Sequence, residues 1–293
     1  MFHKCGFADA FSELKDADFV IIGLPFDVTA SFRSGSREGP DAIRLASYNF
    51  ESYDHRHCVD LADLRICDLG NMELGSDPAC AWDAIGSGLN AIPEGAIPIV
   101  LGGEHSITPP IVEHMAKFGD LGVLVLDAHL DLRSEYGCTA FSHACAGRRI
   151  LEIKGIRGYV SVGVRSGSKE EFDYAKEKGL KYYTSDDVAS RGIHSVMDDV
   201  MSDLSCERLY LSIDMDALDP AYAPAVGNPE PCGLAPCDVM DVIDRVAPNA
   251  VAVDINEIAP AYDKGQTAIL GSWLAREFIA AKAANLKETE LWP

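Results

Sequence analysis

Eight short apolar runs constrain this chain more than any other feature: Asp18 to Gly23, Leu64 to Asp68, Ile97 to Leu101, Gly122 to Asp127, Tyr159 to Val164, Lys181 to Tyr183, Arg208 to Asp214 and Ala250 to Ile255. Between them lie segments of helical composition, such as Gly39 to Ser47, Pro78 to Asn90, Pro109 to Lys117, Ser168 to Lys178, Ile193 to Leu204 and Pro236 to Val246. The longest is Gln266 to Leu286. Strands alternating with helices predict a parallel sheet with helices on both faces, and residues 1–293 are read as a single domain. Eight such units either close into a barrel or stay open as a three-layer sandwich, and periodicity does not choose between them. Both architectures put function in loops at the carboxyl ends of strands, where His105, Asp127 and Asp214 fall.

Polar residues gather at three of these strand ends: Gly102-Gly103-Glu104-His105-Ser106, Asp127-Ala128-His129-Leu130-Asp131 and Ser212-Ile213-Asp214-Met215-Asp216. The last two place their polar groups at i, i+2 and i+4, a spacing that in an extended strand points them to one face. Aspartates in such an apolar setting are costly unless a cation or a hydrogen-bond network compensates them, and a metal is the simpler compensation. Four ionised aspartates and two neutral imidazoles balance two divalent cations, which favours a dinuclear site. Oxygen-rich ligands mixed with imidazole suit manganese, with iron, cobalt, nickel or zinc as alternatives, and the clusters hold no cysteine for a structural zinc.

The net charge of −21 excludes nucleic acid as a natural partner and favours a cationic small molecule, although solubility or a high-salt habitat accounts for it equally well. Nine cysteines, an odd number without a C-x-x-C spacing, suggest reduced thiols in a cytosol. The start lacks a charged segment leading into an apolar stretch, and no 18-residue apolar run occurs, so a soluble cytoplasmic protein without membrane association is expected. Gly86-Ser87-Gly88-Leu89-Asn90-Ala91 fits the dinucleotide fingerprint only formally, because it lies within a helical segment. Ser31 to Gly39 lacks the lysine and hydroxyl of a phosphate loop. The proline-dense stretch Pro220 to Gly233 is expected to be a shaped loop.

The three clusters resemble those of the ureohydrolase family of arginases, agmatinases and related amidinohydrolases. The signature running from Ser212 through Pro220, Pro224 and Gly233, and Asp254-Ile255-Asn256-Glu257-Ile258-Ala259-Pro260, resemble further family motifs. Ser31-Phe32-Arg33 with Gly39-Pro40 and Ile43-Arg44, Ser142-His143-Ala144-Cys145, and Gly163-Val164-Arg165-Ser166-Gly167 are similar to the agmatinase-type branch. The resemblance spans residues 20 to 280. It implies an arginase-like α/β fold, an open three-layer α/β/α sandwich with a mainly parallel eight-stranded sheet, assembled as a trimer or a hexamer of trimers.

By that resemblance His105, Asp127, Asp131 and Asp214 would hold one manganese, and Asp127, His129, Asp214 and Asp216 the other, with Asp127 and Asp214 bridging. Two cations about 3.5 to 4 Å apart would share one water and lower its pKa, giving hydroxide near neutral pH. Glu257 would orient the guanidinium through parallel hydrogen bonds. Asp131 would relay a proton to the leaving amine, and His143 would exchange protons with solvent. His3, His55, His57, His114 and His194 lack carboxylate partners at ligand spacing and are assigned no role, and Cys145 is read as a packing residue. Ala144, Asn228 and Cys232 depart from the family pattern, where glycine, threonine and glycine are common.

The expected activity is hydrolysis of a guanidino compound to urea and an amine, with agmatine giving putrescine, a step of polyamine biosynthesis. Glu135 in the loop Leu132 to Phe141 agrees with a cationic tail. Arg133 in the same loop would suit a carboxylate, as in 4-guanidinobutyrate, arginine or formiminoglutamate. Two rivals remain: a single-zinc deacetylase on the same fold, which would not need His105, Asp131 and Asp216, and a metal-binding homologue without catalysis.

Overall fold

The computed structural model describes residues 6–288; His3 and Cys5 lie outside them. Among the described residues ten strands and nine α-helices follow in chain order: β1 Phe19–Leu24, α1 Gly39–Ser47, β2 Tyr53–Asp54, β3 Val59–Asp60, β4 Ile66–Asn71, α2 Pro78–Gly88, β5 Ile97–Gly102, α3 Thr108–Ala116, β6 Leu121–Leu126, α4 Ala146–Leu151, β7 Ile156–Val164, α5 Lys169–Lys178, β8 Lys181–Thr184, α6 Ser185–Arg191, α7 Ile193–Leu204, β9 Leu209–Asp214, α8 Pro236–Val246, β10 Ala250–Asn256 and α9 Gln266–Glu288. Eight strands form one sheet in the order β4-β1-β5-β10-β9-β6-β7-β8. Every pair is parallel. The order runs in a line with β4 and β8 at its edges, so the sheet is open and the barrel alternative is removed. β2 and β3 pair apart as a short antiparallel hairpin, an element absent from the expected runs because each strand has two residues.

Side chains alternate across the sheet, which sorts the core into two layers. Leu124, Leu126, Leu209, Leu211, Ile213, Val253 and Ile255 face one side, where α1, α7, α8 and α9 pack. Val123, Val125, Tyr210 and Ala252 face the other, against α2, α3 and α4. Each such fully buried aliphatic side chain contributes about 1.5–3 kcal/mol relative to exposure. On β9 and β10 this second face also carries Ser212 and Asp254, both without solvent contact.

Helix boundaries follow local chemistry. The Ser168 hydroxyl and the Glu171 carboxylate cap α5 reciprocally, and Gly179 ends it in the left-handed conformation at φ 64°. Prolines occupy the first turns of α1, α2, α3 and α8. Arg44 on α1 is buried and grips Asp68 of β4 at 2.8 and 3.0 Å, tying the edge strand to the helical layer. Among the described residues no helix is long and apolar enough to cross a membrane.

Candidate metal centre and active-site pocket

The four central strands deliver the clustered residues at their carboxyl ends: His105 after β5, Glu257 after β10, Asp214 at the end of β9 with Asp216 beyond it, and Asp127, His129 and Asp131 after β6. The extended geometry expected for the Asp-x-His-x-Asp spacing is not what forms. β6 stops at Leu126, and the Asp127 carboxylate accepts the His129 backbone N–H at 2.6 Å. Asp214 likewise accepts the Asp216 N–H at 2.8 Å, opening a short 3₁₀ turn. Aspartates bond the backbone two residues on and so bend the chain. The bend, completed by Asp131 at φ 51°, brings side chains together that a strand would have spread along one face.

His105 Nδ1 lies 3.1 Å from Asp127 Oδ2, 3.2 Å from Asp131 Oδ2 and 3.3 Å from Asp214 Oδ2. His129 Nδ1 lies 3.0 Å from Asp216 Oδ2 and 3.5 Å from Asp127 Oδ1. Asp127 therefore turns one oxygen to each group. Asp214 offers Oδ2 to the first group while its Oδ1 holds the Asp216 backbone.

A tautomer argument tests whether a metal fits. Ser212 Oγ donates to Asp254 Oδ1 at 2.5 Å and lies 3.0 Å from His105 Nε2. With its single proton committed to Asp254, Ser212 accepts from Nε2–H, which leaves a lone pair on Nδ1. That nitrogen is buried without a hydrogen-bond partner, facing three carboxylate oxygens. Converging lone pairs repel unless a cation or proton sits among them, so the donor set fits a metal. Asp254 accepts from Tyr210, Thr108 and Asn256 as well, which locks this support. Behind the second group, Glu230 Oε1 stands 3.6 Å from His129 Nε2.

The electrostatics agree. Without a cation, burial first and the neighbouring Asp127 charge second push the Asp131 carboxyl up to about 7. Burial and the charges of Asp216 and Asp127 raise Asp214 well above the carboxylate range. Burial opposes charge on His105 and His129, yet their aspartate neighbours outweigh it and hold both rings well above the ordinary imidazole value. Asp127, drawn down by the two histidines against its burial, lies below the usual carboxylate range. The protein alone therefore fills this cluster with protons that a pair of divalent cations would replace.

The centre floors a pocket of 320 Å³. Glu257 lines it from a left-handed backbone (φ 66°), its N–H donating to Gly103 O at 2.7 Å and its Oε1 accepting the His105 N–H at 2.8 Å. Burial and the charge of Glu104 raise its carboxyl. Gly227 leaves room above it, since a Cβ there would lie 3.0 Å from Glu257 Oε2. His143 lines the same pocket on the turn before α4, and its ring is pushed down to about 4 by burial and then by the charges on His129 and His105. Arg165 pins the proline-dense loop by donating to the carbonyls of Asp216 and Glu230, both at 2.7 Å.

Several expectations change. Glu135 is exposed and does not line the pocket; Glu230 does. Arg133 lines it, but lies 3.5 Å from Glu171 and stacks over Tyr136. His57 has carboxylate partners after all, Asp54 at 2.9 Å and Asp244 at 3.0 Å, the first of them three residues before it in the sequence. His194 lies 3.5 Å from Asp241, and His55 is exposed. Cys145 is buried with its thiol raised to about 11 by burial and then Asp131. Asn228 borders the pocket, whereas Cys232 is exposed in a left-handed backbone. Of the supporting groups, Ser212 and Asp254 lay inside recognised motifs, whereas nothing in the sequence marked Thr29, which contacts both Glu104 and His143.

Comparison with known proteins accords with this geometry. The family model described as the arginase family matches residues 17–281. The agmatinase of Pyrococcus horikoshii is 40% identical over 79% of this chain and 80% of its own length. The N(1)-aminopropylagmatine ureohydrolase of Thermococcus kodakarensis is 36% identical over 92% of this chain and 93% of its own. The crystal structure of the agmatine ureohydrolase of Thermoplasma volcanium superposes with a TM-score of 0.92 at 42% identity, covering 98% of this chain and 97% of that one.

Proposed function

The chain belongs to the arginase family, and from that premise we propose that it is a metal-dependent amidinohydrolase that splits agmatine into urea and putrescine. The observation that carries the reading is the buried His105 Nδ1, unpartnered and aimed at three carboxylates, one of which it shares with the His129 group. His105, Asp127, Asp131 and Asp214 are assigned to one cation, and Asp127, His129, Asp214 and Asp216 to the other, with manganese as the proposed metal. When bound, the pair would supply a nucleophile at neutral pH by lowering the pKa of water.

The chain's own side chains do the rest. Glu257 lies beneath Gly227; burial raises its carboxyl in the protein alone, a paired guanidinium would draw it down to the carboxylate, and that anion orients the planar group by charge-assisted hydrogen bonds and holds the carbon for attack. Breaking the C–N bond leaves an electron pair on nitrogen that must be protonated, and we assign that proton to Asp131, with His143 exchanging protons between pocket and solvent. Arg133 lies against Glu171 and Arg33 donates to the Pro224 carbonyl, while Glu230 beside His129 and Glu257 add carboxylates to the pocket wall, so we read the lining as favouring a cationic tail over a carboxylate one. The same charge argument extends to a longer cationic tail, such as that of the N(1)-aminopropylagmatine for which the Thermococcus kodakarensis relative is named. The described cysteines are all free, which supports a reducing cytoplasmic setting. A homotrimer or homohexamer is proposed on the family resemblance.

Urea release by manganese-incubated protein tests this, with agmatine, N(1)-aminopropylagmatine, arginine, 4-guanidinobutyrate and 3-guanidinopropionate as substrates and metal counted per chain. Rapid urea from agmatine with two metals is expected. Preference for another member would replace the tail, one metal per chain would favour the deacetylase reading, and two metals without urea would favour a non-catalytic role.

A further inference from the structure

Behind His143 lies a hydrogen-bonded pair whose donors and acceptors can be counted completely. Thr29 Oγ1 donates to Glu104 Oε1 at 2.6 Å and accepts the His143 backbone N–H at 3.0 Å. Its remaining lone pair faces His143 Nδ1 at 3.1 Å. Glu104 has no solvent contact, and its other partners are also donors: the Thr29 N–H at 2.9 Å and the Ser106 hydroxyl at 2.7 Å. Burial raises the Glu104 carboxyl while these three donors hold it down, and with all three turned toward it the group acts as an acceptor, so the one proton of Thr29 is committed to it. A hydroxyl offers one donor and two acceptor sites, and both acceptor sites are turned to His143. Nδ1 must therefore bring a hydrogen; Ser142 Oγ, at 3.4 Å, is the longer contact. On the opposite edge of the ring Nε2 stands 3.4 Å from Ser31 Oγ, which in turn accepts from Asn228 Nδ2 at 3.2 Å. Ser31 and Asn228 both line the pocket, so Nε2 is the nitrogen on its side.

We propose that Thr29 and Glu104 are positioning residues for His143, holding Nδ1 as N–H so that protons are taken up and given out only at Nε2. The inference rests on the reading of His143 as the pocket's proton exchanger. In each turnover the C–N bond breaks with its electron pair left on nitrogen, Asp131 gives that nitrogen its proton, and Nε2 passes a proton from solvent into the pocket to replace it, so that both groups end the cycle as they began. While Nε2 carries that proton the ring is cationic, and its Nδ1–H already points through Thr29 to the Glu104 carboxylate. A carboxylate that fixes a histidine tautomer and stabilises the imidazolium does the same in hydrolytic triads. Here a hydroxyl is interposed, which places the negative charge one residue further from the pocket and next to the chain of a proposed metal ligand.

The test begins with metal-free wild-type protein labelled with ¹⁵N-histidine. Long-range ¹H–¹⁵N correlation at neutral pH, with His143 assigned from H143N, should show the Nδ1-protonated tautomer. Thr29→Val should convert that signal to the other tautomer or a mixture, and Thr29→Ser should restore it. In the manganese-loaded enzyme, Thr29→Val should lower kcat for agmatine by roughly tenfold or more, with KM changed less than about twofold, the pattern of a lost proton-transfer contribution. A wild-type ring protonated at Nε2 would overturn the proposal without any variant having to fold, and so would wild-type kcat in Thr29→Val. Wild-type kcat in H143N would instead overturn the role of His143 on which the proposal rests, whatever tautomer is found.

Discussion

Replacing Ser212 with alanine isolates the support behind one half of the metal centre. The hydroxyl has no solvent contact, stands 3.0 Å from His105 Nε2 and donates to Asp254 Oδ1 at 2.5 Å. Asp254 retains Tyr210, Thr108 and Asn256 as donors in the variant, whereas His105 Nε2–H loses its partner and is left buried. An orphaned buried donor costs about 1–3 kcal/mol, so the metal-free variant should melt a few degrees lower. The larger effect is on binding. Once Nε2–H is unheld, the ring is free to take the other tautomer or turn, and the lone pair on Nδ1 is no longer assured. Losing such support typically costs 10- to 100-fold in metal affinity, equivalent to about 1.4–2.8 kcal/mol. The loss should fall on the His105 group alone, because His129 is backed separately by Glu230. Competitive titration of manganese against a chelator, resolved into two sites, measures this. Two unchanged affinities, or two equally weakened ones, would refute the claim that Ser212 acts through the His105 tautomer.

Glu257→Gln keeps an oxygen able to accept the His105 N–H, so metal content should survive; losing the charge that faces the guanidinium should cost about 1.5–3 kcal/mol, or roughly 10- to 150-fold in kcat/KM, and unchanged kinetics would remove Glu257 from its role. Metal binding should release protons at pH 7, because Asp131 titrates at about 7 and Asp214, His105 and His129 are all raised in the metal-free protein. The two carboxyls keep a proton that the unfolded chain loses above about pH 4, and the two imidazoles one that it loses above about pH 6.5, together outweighing the opposite contribution of His143, lowered to about 4, so metal-free stability should fall as pH rises from about 4 through neutrality, while manganese affinity climbs. Proton release followed by calorimetry in buffers of different ionisation enthalpy, with melting curves at pH 5.5 and 8, checks both; a metal-free protein more stable at the higher pH would contradict the sign.

The six proposed ligands were legible because each faces the centre from a short motif whose neighbours in sequence are neighbours in space. Asp127, His129 and Asp131 come from one five-residue stretch, and Asp214 and Asp216 from another. What holds them was far less legible. The tautomer of His105 depends on Asp254, 149 positions away, and that of His143 on Thr29, 114 positions away. No local spacing encodes either pairing. The hairpin β2–β3 and the six-residue α4 were invisible for a different reason: two residues per strand, or fewer than two helical turns, are too few to establish a period.

Strand order explains why the site lies where it does. From β5 the chain crosses to β6, and β9 and β10 later fill the gap between them. Three strand spacings of about 4.8 Å put β5 and β6 roughly 14 Å apart, yet His105 Nδ1 and Asp127 Oδ2 meet at 3.1 Å. The loops must lean inward over the two late strands. Gly103 allows this on one side: its carbonyl accepts from Glu257 above β10, and a Cβ on it would stand 2.0 Å from the Phe26 carbonyl oxygen. The bend at Asp127 does so on the other. Because β9 and β10 occupy the space the loops lean over, their own ends supply Asp214, Asp216 and Glu257 from beneath. The crevice is thus a reversal of strand order filled by later strands, a placement typical of ligand sites in open parallel sheets. A list of apolar runs gives the number of strands in the main sheet but not the order in which they are laid down, so the convergence of four separate strand ends on one point had to come from the folded chain.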